Sequence, residues 1–343
     1  MKKLIGYEKG INLGGWLSQG SEEKKHLDTF ITESDIERIA SWKVDHVRLP
    51  VDFNIIETED GKELSSGCSY IDKCIAWCRK YNLNIILDLH RTAGYTFDNQ
   101  KISADFFSCD ELQDRFIALW EKLAKRYAND TDILIFELLN EVVNPEVADR
   151  WNEIAARCMK TIRKITPDVK IIVGGVDYNS ITSVKQLNPP IDENIIYTFH
   201  CYDPLVFTHQ AAYWVDTMPS DFKISYPGDL DDYIAKSLEV LADRSGFLLD
   251  KSFGFTKIGT DFFEKLFKEA IEVSEQRNVA LYCGEYGVID LADPEDTLNW
   301  YRDINSVFVK YNIGRAAWNY KGLDFGLMDE HYDDMRSEII SML

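Results

Sequence analysis

Two glutamates stand where the chain has least reason to keep a charge. Glu141 ends the run Ile133–Glu141, ILIFELLNE, and Glu285 sits in Ala280–Gly287, ALYCGEYG. Strands buried on both faces read as continuous hydrophobic runs, and each of these runs is interrupted by a carboxylate near its C-terminal end. Other apolar runs carry polar or aromatic residues in the same place: Arg48 in DHVRLP, Asp88 and His90 in NIILDLH, Glu137 and Asn140 beside Glu141, His200 and Tyr202 in NIIYTFHCY, and Trp318 in GRAAWNY. Side chains alternate along a strand. Asp88 with His90, Glu137 with Glu141, His200 with Tyr202, and Cys283 with Glu285 are therefore expected to share faces. Two facing carboxylates are the groups that glycoside hydrolysis needs. One protonates the leaving oxygen, and the other attacks the anomeric carbon or activates water. A Trp offers a flat apolar platform to the C–H face of a pyranose, while an amide and imidazoles offer directional hydrogen bonds to hydroxyls. Taken singly, each residue also has a structural reading: a strand-end Glu in an ion pair, a His satisfied in the core, a Trp filling space. Asp88 and Glu137, one layer deeper, are read as structural. Chemistry is favoured because the candidates fall at the same end of different strands.

These residues need a scaffold that brings eight strand ends together. The strand patterns are Gly10–Gly15, Asp45–Pro50 (stopped by its proline), Asn84–His90, Ile133–Glu141, Lys170–Gly175, Asn194–Tyr202, Ala280–Gly287 and Gly314–Tyr320. Helical patterns lie between them at Glu33–Ser41 (with Thr32 as N-cap), Ser69–Tyr81, Glu111–Tyr127, Val147–Ile165, Asp261–Glu275 and Asp293–Tyr311, and a last helix starts near His331. Alternating strand and helix patterns predict parallel βαβ units closing into an α/β (β/α)8 TIM barrel, whose active site lies at the C-terminal ends of the strands. The chain, residues 1–343, reads as one catalytic domain. A barrel of about 250 residues gives about 31 per unit, and the interval from Tyr202 to Glu285 is far longer. Residues 203–259 are therefore an insertion after strand six, expected over the active-site face, with Phe207, His209, Tyr213 and Trp214 close together.

Composition narrows the partners. The 343 residues are 45% hydrophobic, enough for a large core, and the formal net charge of −20 repels phosphate backbones, which speaks against nucleic acid. No run approaches the roughly 20 apolar residues of a membrane helix. Lys2 and Lys3 are followed by Gly6, Glu8 and Lys9 rather than by an apolar stretch, so no secretory signal is read. A cytoplasmic location is expected, or a secreted one if a signal has been removed. Seven cysteines, mostly inside apolar runs, suit free buried thiols in a reducing compartment. Cys68, Cys74 and Cys78 are close in sequence but lack a fourth ligand at metal-site spacing.

The motifs in chain order resemble glycoside hydrolase family 5, the cellulase A family. They are GINLGGW at Gly10–Trp16, HVRLP at His46–Pro50, LDLH at Leu87–His90, LLNE at Leu138–Glu141, FHCYDP at Phe199–Pro204, YCGEYG at Tyr282–Gly287 and AWNYK at Ala317–Lys321. Within that family the chain resembles the clostridial endoglucanase C type, which is short and carries an insertion after strand six. The resemblance implies Glu141 as acid/base and Glu285 as nucleophile. It implies Arg48, His90, Asn140, His200, Tyr202 and Trp318 around the substrate: Arg48 and Tyr202 as partners of the nucleophile, Asn140 at the 2-hydroxyl, and Trp318 as the stacking platform. Trp214, from the insertion, is added as a cleft residue. At Arg91-Thr92-Ala93-Gly94 the chain departs from relatives that carry a second His and a Pro, which bears on subsite geometry rather than on the chemistry.

The expected activity is retaining hydrolysis of β-1,4- or mixed-linkage β-glucan by a monomer, with no metal and no cofactor. Exo-β-1,3-glucanases and β-mannanases with the same catalytic ring are the nearest alternatives. A non-catalytic carbohydrate-binding barrel and a metal-dependent enzyme using Asp88, Glu137 and Glu141 are alternatives of other classes.

Overall fold

The computed structural model of the chain describes residues 1–98, 105–241 and 254–343. Eight parallel strands close into a barrel in sequence order, with β1 paired to β8. They are β1 (Gly10–Asn12), β2 (His46–Asp52), β3 (Asn84–Arg91), β4 (Leu134–Glu137), β5 (Ile171–Gly174), β6 (Ile195–Cys201), β7 (Ala280–Tyr286) and β8 (Gly314–Ala317). Around them lie α1 (Glu33–Ser41), α2 (Ser65–Tyr81), α3 (Asp110–Arg126), α4 (Ala148–Arg163), α5 (Thr260–Arg277), α6 (Pro294–Tyr311) and α7 (Arg336–Met342). Local chemistry marks their ends. The Thr32 amide donates to Asp35 at 2.8 Å at the start of α1. Asp293 accepts from the Glu295 amide at 2.9 Å, just before Pro294 opens α6. Asn82, Asn278 and Asn312 end α2, α5 and α6 with left-handed φ of 58°, 51° and 55°, a conformation Asn tolerates better than most residues. No strand–helix alternation appears in the fifth interval, where a 3-10 turn at Ile181–Gln186 stands in for a helix before Pro189-Pro190.

Two apolar layers hold the fold. The outer one joins the strands to the helices. The inner one fills the lower barrel with Ile86, Ile135, Ile172, Ile196, Ala280, Tyr282 and Ala316, and Leu4 and Tyr7 join it from the N-terminal segment. Above that layer the interior turns polar, and that change of character is the floor of the site.

Three departures from the expected strands matter for the site. Pro50 does not stop β2, which runs on to Asp52. The Arg48 carbonyl accepts the Leu13 amide and the Asp52 amide donates to the Leu17 carbonyl, both at 2.9 Å. Pro50, midway between them, turns its nitrogen to the same side, where β1 has given way to a turn, so no ladder bond is lost. β4 ends at Glu137 rather than Glu141, and the chain leaves the pleat there. Finally, β7 carries a bulge. Phe199 pairs with Cys283 but His200 pairs with Glu285, leaving Gly284 as the extra residue. Cys283 and Glu285 therefore do not share a face: Cys283 packs outward in the core, and Glu285 turns into the barrel.

The described part of the insertion contains helices at Leu205–Thr208 and Leu230–Val240. It is anchored on α6, where Asp303 accepts from the Tyr226 hydroxyl at 2.8 Å and Trp300 donates to the Asp203 carbonyl at 3.0 Å. Phe207 is fully buried against Tyr226, with ring centroids 5.2 Å apart, and is core rather than cleft.

Candidate active site

Arg48 is the hub. It rises from β2 into the barrel centre with no exposed surface. Its Nε donates to Glu137 Oε2 at 2.7 Å. Nη1 reaches Asn12 Oδ1 at 3.0 Å and Glu285 Oε1 at 2.8 Å, and Nη2 reaches Asn140 Oδ1 at 2.9 Å and Glu137 Oε1 at 3.1 Å, with the Asp88 carboxylate as an ion-pair partner at 3.0 Å. A guanidinium has five N–H donors in one plane, and here protein groups use all of them. Burial alone would depress the Arg48 pKa, but the carboxylates of Asp88, Glu137 and Glu285 raise it well above its ordinary value. Burial pushes Asp88 up to about 7 and raises Glu137 as well. The expectation that Arg48 touches substrate is corrected: it lies beneath the cavity floor and acts through the groups it holds. The same guanidinium ties up Asp88 and Glu137, the carboxylates that a metal-dependent reading would need free.

Glu285 enters this ring through the β7 bulge. Asn12 secures the bulge by donating its amide to the Gly284 carbonyl at 2.9 Å. One carboxylate oxygen of Glu285 accepts from Arg48, and the other accepts from the Tyr202 hydroxyl at 2.9 Å. Glu141 arrives differently. Consecutive strand residues point to opposite faces, yet Asn140 and Glu141 both turn inward. Glu141 adopts a left-handed φ of 35°, which costs a non-glycine residue of order 1–3 kcal/mol. The Tyr95 hydroxyl holds the bend by donating to the Glu141 carbonyl and accepting from the Val143 amide at 3.0 Å. The Glu141 carboxyl meets His200 Nδ1 at 2.7 Å. Burial pushes its pKa up to about 8, against the opposing charge of Arg48. Burial also keeps the two imidazoles neutral, with His90 lowered to about 3 and His200 to about 4. His90 Nδ1 lies 2.6 Å from Asp88.

Oxygens of Glu141 and Glu285 and a ring nitrogen of His200 lie within 4.8 Å of one another. By donor type this trio could hold a cation. Its atoms are already engaged in the hydrogen bonds above. Cys74 and Cys78 sit buried on α2, packed in the outer core.

A cavity of about 620 Å³ opens over the two glutamates. Asn140, His90, His200, Tyr202, Trp318 and Trp214 line it with them. Trp318 stacks parallel to His90, 5.9 Å away at 2°. It is seated on Gly14, where an added Cβ would come within 2.5 Å of the indole, and Asn319 clasps the Gly14 backbone with bonds of 2.9 and 3.1 Å. Trp214 stands at the rim, about a third exposed, edge-on to His209. Sequence reasoning missed Tyr178 and Ser180 from the β5 loop, Phe97 and Asp98 from the β3 loop, and Phe325 after β8. The polar DYNS at Asp177–Ser180, shortly after KIIVGG, was the available signal for the first pair.

A (β/α)8 barrel with two carboxylates this close at the C-terminal ends of β4 and β7, beneath an aromatic cleft, defines a glycoside hydrolase. Comparison with known proteins narrows the class. The family model for cellulase (glycosyl hydrolase family 5) matches residues 8–324. Cellodextrinase A of Ruminococcus flavefaciens is 43% identical over 92% of this chain and 86% of its own length. Endoglucanase C of Acetivibrio thermocellus is 41% identical over 99% of this chain and 98% of its own. A solved endoglucanase structure superposes with a TM-score of 0.78 at 20% identity, covering 98% of this chain and 97% of its own, which speaks to the fold. The chain belongs to glycosyl hydrolase family 5.

Proposed function

We propose that the protein is a retaining endo-β-1,4-glucanase. The observation that carries this reading is the spacing of oxygens from Glu141 and Glu285, within 4.8 Å. Retaining enzymes hold their carboxyl groups about 5–5.5 Å apart, whereas inverting ones leave about 6.5–9.5 Å for a water. Glu141, kept protonated by burial, gives its proton to the glycosidic oxygen while Glu285 attacks the anomeric carbon. The leaving sugar departs as an alcohol, and a glycosyl ester remains on Glu285. Glu141, now a carboxylate, takes a proton from water as that water attacks the same carbon, which releases Glu285. Tyr202 and Arg48 orient the nucleophile. Asn140, His90 and Trp318 hold the sugar on which it acts, and Trp214 serves a more distant one. The chain works as one catalytic domain, a monomer whose insertion at residues 203–259 forms part of the cleft wall.

The substrate class rests on likeness to Endoglucanase C, and no helix among the described residues is long and apolar enough to cross a membrane. Likeness to Cellodextrinase A favours a second reading, cleavage of short β-1,4-oligosaccharides. Seven unpaired cysteines, six of them buried, favour a reducing compartment. Product analysis on carboxymethylcellulose, cello-oligosaccharides, laminarin and glucomannan decides among these. Internal cuts in carboxymethylcellulose with retained β-configuration are expected. Inverted products, or a fluorinated glycoside that labels Glu137 or Asp88 instead of Glu285, would overturn the assignment.

A further inference from the structure

The interior layer that holds Arg48, Asp88 and Glu137 on the β2–β4 side has small residues on the opposite side: Gly174 on β5, Thr198 on β6 and Gly284 on β7. Two side chains descend toward that space. His200 comes from β6. Asn179 comes from a stretch of three consecutive left-handed residues, Asp177, Tyr178 and Asn179, with φ of 55°, 58° and 54°. That turn folds the Asn179 amide back over Gly174, where an added Cβ would lie 2.3 Å from Oδ1. Asn179 also accepts the His200 amide on its carbonyl at 2.9 Å. Gly174 and Thr198 are direct neighbours in register. His200 Nε2 and Thr198 Oγ1 face the same spot over Gly284, 2.9 and 3.1 Å from where its Cβ would be.

Both polar atoms of the Asn179 side chain, the Thr198 hydroxyl and His200 Nε2 are buried and have no hydrogen-bond partner among the described residues. Buried polar groups are almost always paired, with protein or with ordered water. Four such atoms converging on a glycine-walled space supply the two to four partners that an internal water takes.

The other side of the same imidazole fixes what that water must do. Among the described residues Nδ1 faces carboxyl oxygens, Glu141 Oε1 at 2.7 Å and Glu285 Oε2 at 3.7 Å. A neutral imidazole carries one N–H, and against two carboxyls it belongs on Nδ1. Nε2 is then a bare lone pair that needs a donor. In the opposite tautomer Nδ1 would accept the proton of Glu141 and draw it away from the glycosidic oxygen.

We propose that Asn179 and Thr198 bind an internal water that donates to His200 Nε2, holding the Nδ1–H tautomer and so keeping the Glu141 proton on the oxygen that faces the cleft. Asn179 and Thr198 are positioning residues for the acid step, and the proposal rests on Glu141 being the acid/base.

The test separates proton delivery from general damage. In 15N-histidine-labelled enzyme, the His200 resonances, assigned by their loss in His200→Gln, are expected to show Nδ1 protonated and Nε2 bare at neutral pH. Thr198→Val keeps the shape and removes the hydroxyl. It is expected to lower kcat/KM on cellotetraose about tenfold, part of the 10²–10⁴ that a general acid contributes. On 2,4-dinitrophenyl cellobioside, whose leaving group needs no proton, kcat/KM should stay within about twofold of the wild-type value. Thr198→Ser should restore the first value. Protonated Nε2 in the unaltered enzyme, equal losses on both substrates, or no loss on either would each overturn the proposal. Full cellotetraose activity in Glu141→Gln would instead overturn the acid/base assignment beneath it, and the tautomer, read without substrate, distinguishes the two failures.

Discussion

Glu141 is asked to be a proton donor near neutral pH, and its surroundings are built for that. Its pKa is raised from 4.5 to about 8, chiefly by burial. Activity that needs the protonated form should therefore fall as pH rises through about 8, a basic limb to be read from kcat/KM. The same shift has a consequence for stability. The folded state holds this proton more tightly than the unfolded chain does. Its stabilising contribution is full below about 4.5 and is lost progressively as pH rises to about 8. Glu141→Gln should thus gain on the wild type in urea unfolding between pH 4 and pH 8; a constant difference would show that the carboxyl is not desolvated. Arg48 makes the contrasting case. Its fork holds three carboxylates at once, which the point charge of a lysine does not reproduce. Arg48→Lys is expected to fold but to lose on the order of 10² in kcat/KM, as small misplacements of reacting groups do. Activity within a few fold of wild type would show that the fork is dispensable.

At the scale of elements, the turn after β1 positions Trp318, the proposed sugar platform. Gly14 has no room for a methyl group, because the rigid Trp318 ring lies 2.5 Å from where it would be. Gly14→Ala should displace the indole and raise KM, with kcat/KM down by about tenfold, equivalent to ~1.4 kcal/mol. An unchanged KM would mean that Trp318 moves without touching substrate. The β3 loop offers a second case, at the position where the sequence departs from relatives. Arg91 pairs with Asp52 and Asp98 and lies over the Phe97 ring at 5.4 Å, and Phe97 stands edge-on to His90. Strand order, helix order and the polar strand ends were legible in the sequence, because apolar runs with a late polar residue survive a reading by period alone. The bulge was not. Alternation assumes an unbroken pleat, and one extra glycine at 284 reverses the face of everything after it. Strand alternation places Glu141 in the cleft for a reason only half right, since its left-handed φ, rather than the pleat, turns it inward.

Across the whole molecule, the stretch after β6 reaches the cavity, where Leu205, His209, Tyr213 and Trp214 form part of its lining. Its aromatic residues divide between two duties, with Phe207 buried in its own core and Trp214 at the cavity rim. Binding energy from a remote part of a substrate can be used at the reacting centre. Trp214→Ala should therefore lower kcat/KM on long oligosaccharides by about tenfold, ~1.4 kcal/mol, and affect an aryl disaccharide much less. Equal losses together with a lower Tm would make Trp214 a core residue instead. The division of labour between Phe207 and Trp214 was not legible beforehand, because four aromatics within eight positions carry no sign of which ones face solvent.

The burial of Arg48 among Asp88, Glu137 and Glu285 also sets how the enzyme responds to ionic strength. Mobile ions screen exposed charges beyond about 10 Å at 0.1 M and reach buried pairs much less. Most other ion pairs among the described residues lie at the surface, such as Arg79 with Asp132, on a chain of net charge −20. Added salt thus acts on the shell and leaves the catalytic cluster alone. With a neutral polysaccharide as substrate, brine should change the unfolding temperature while turnover at a fixed temperature stays nearly flat.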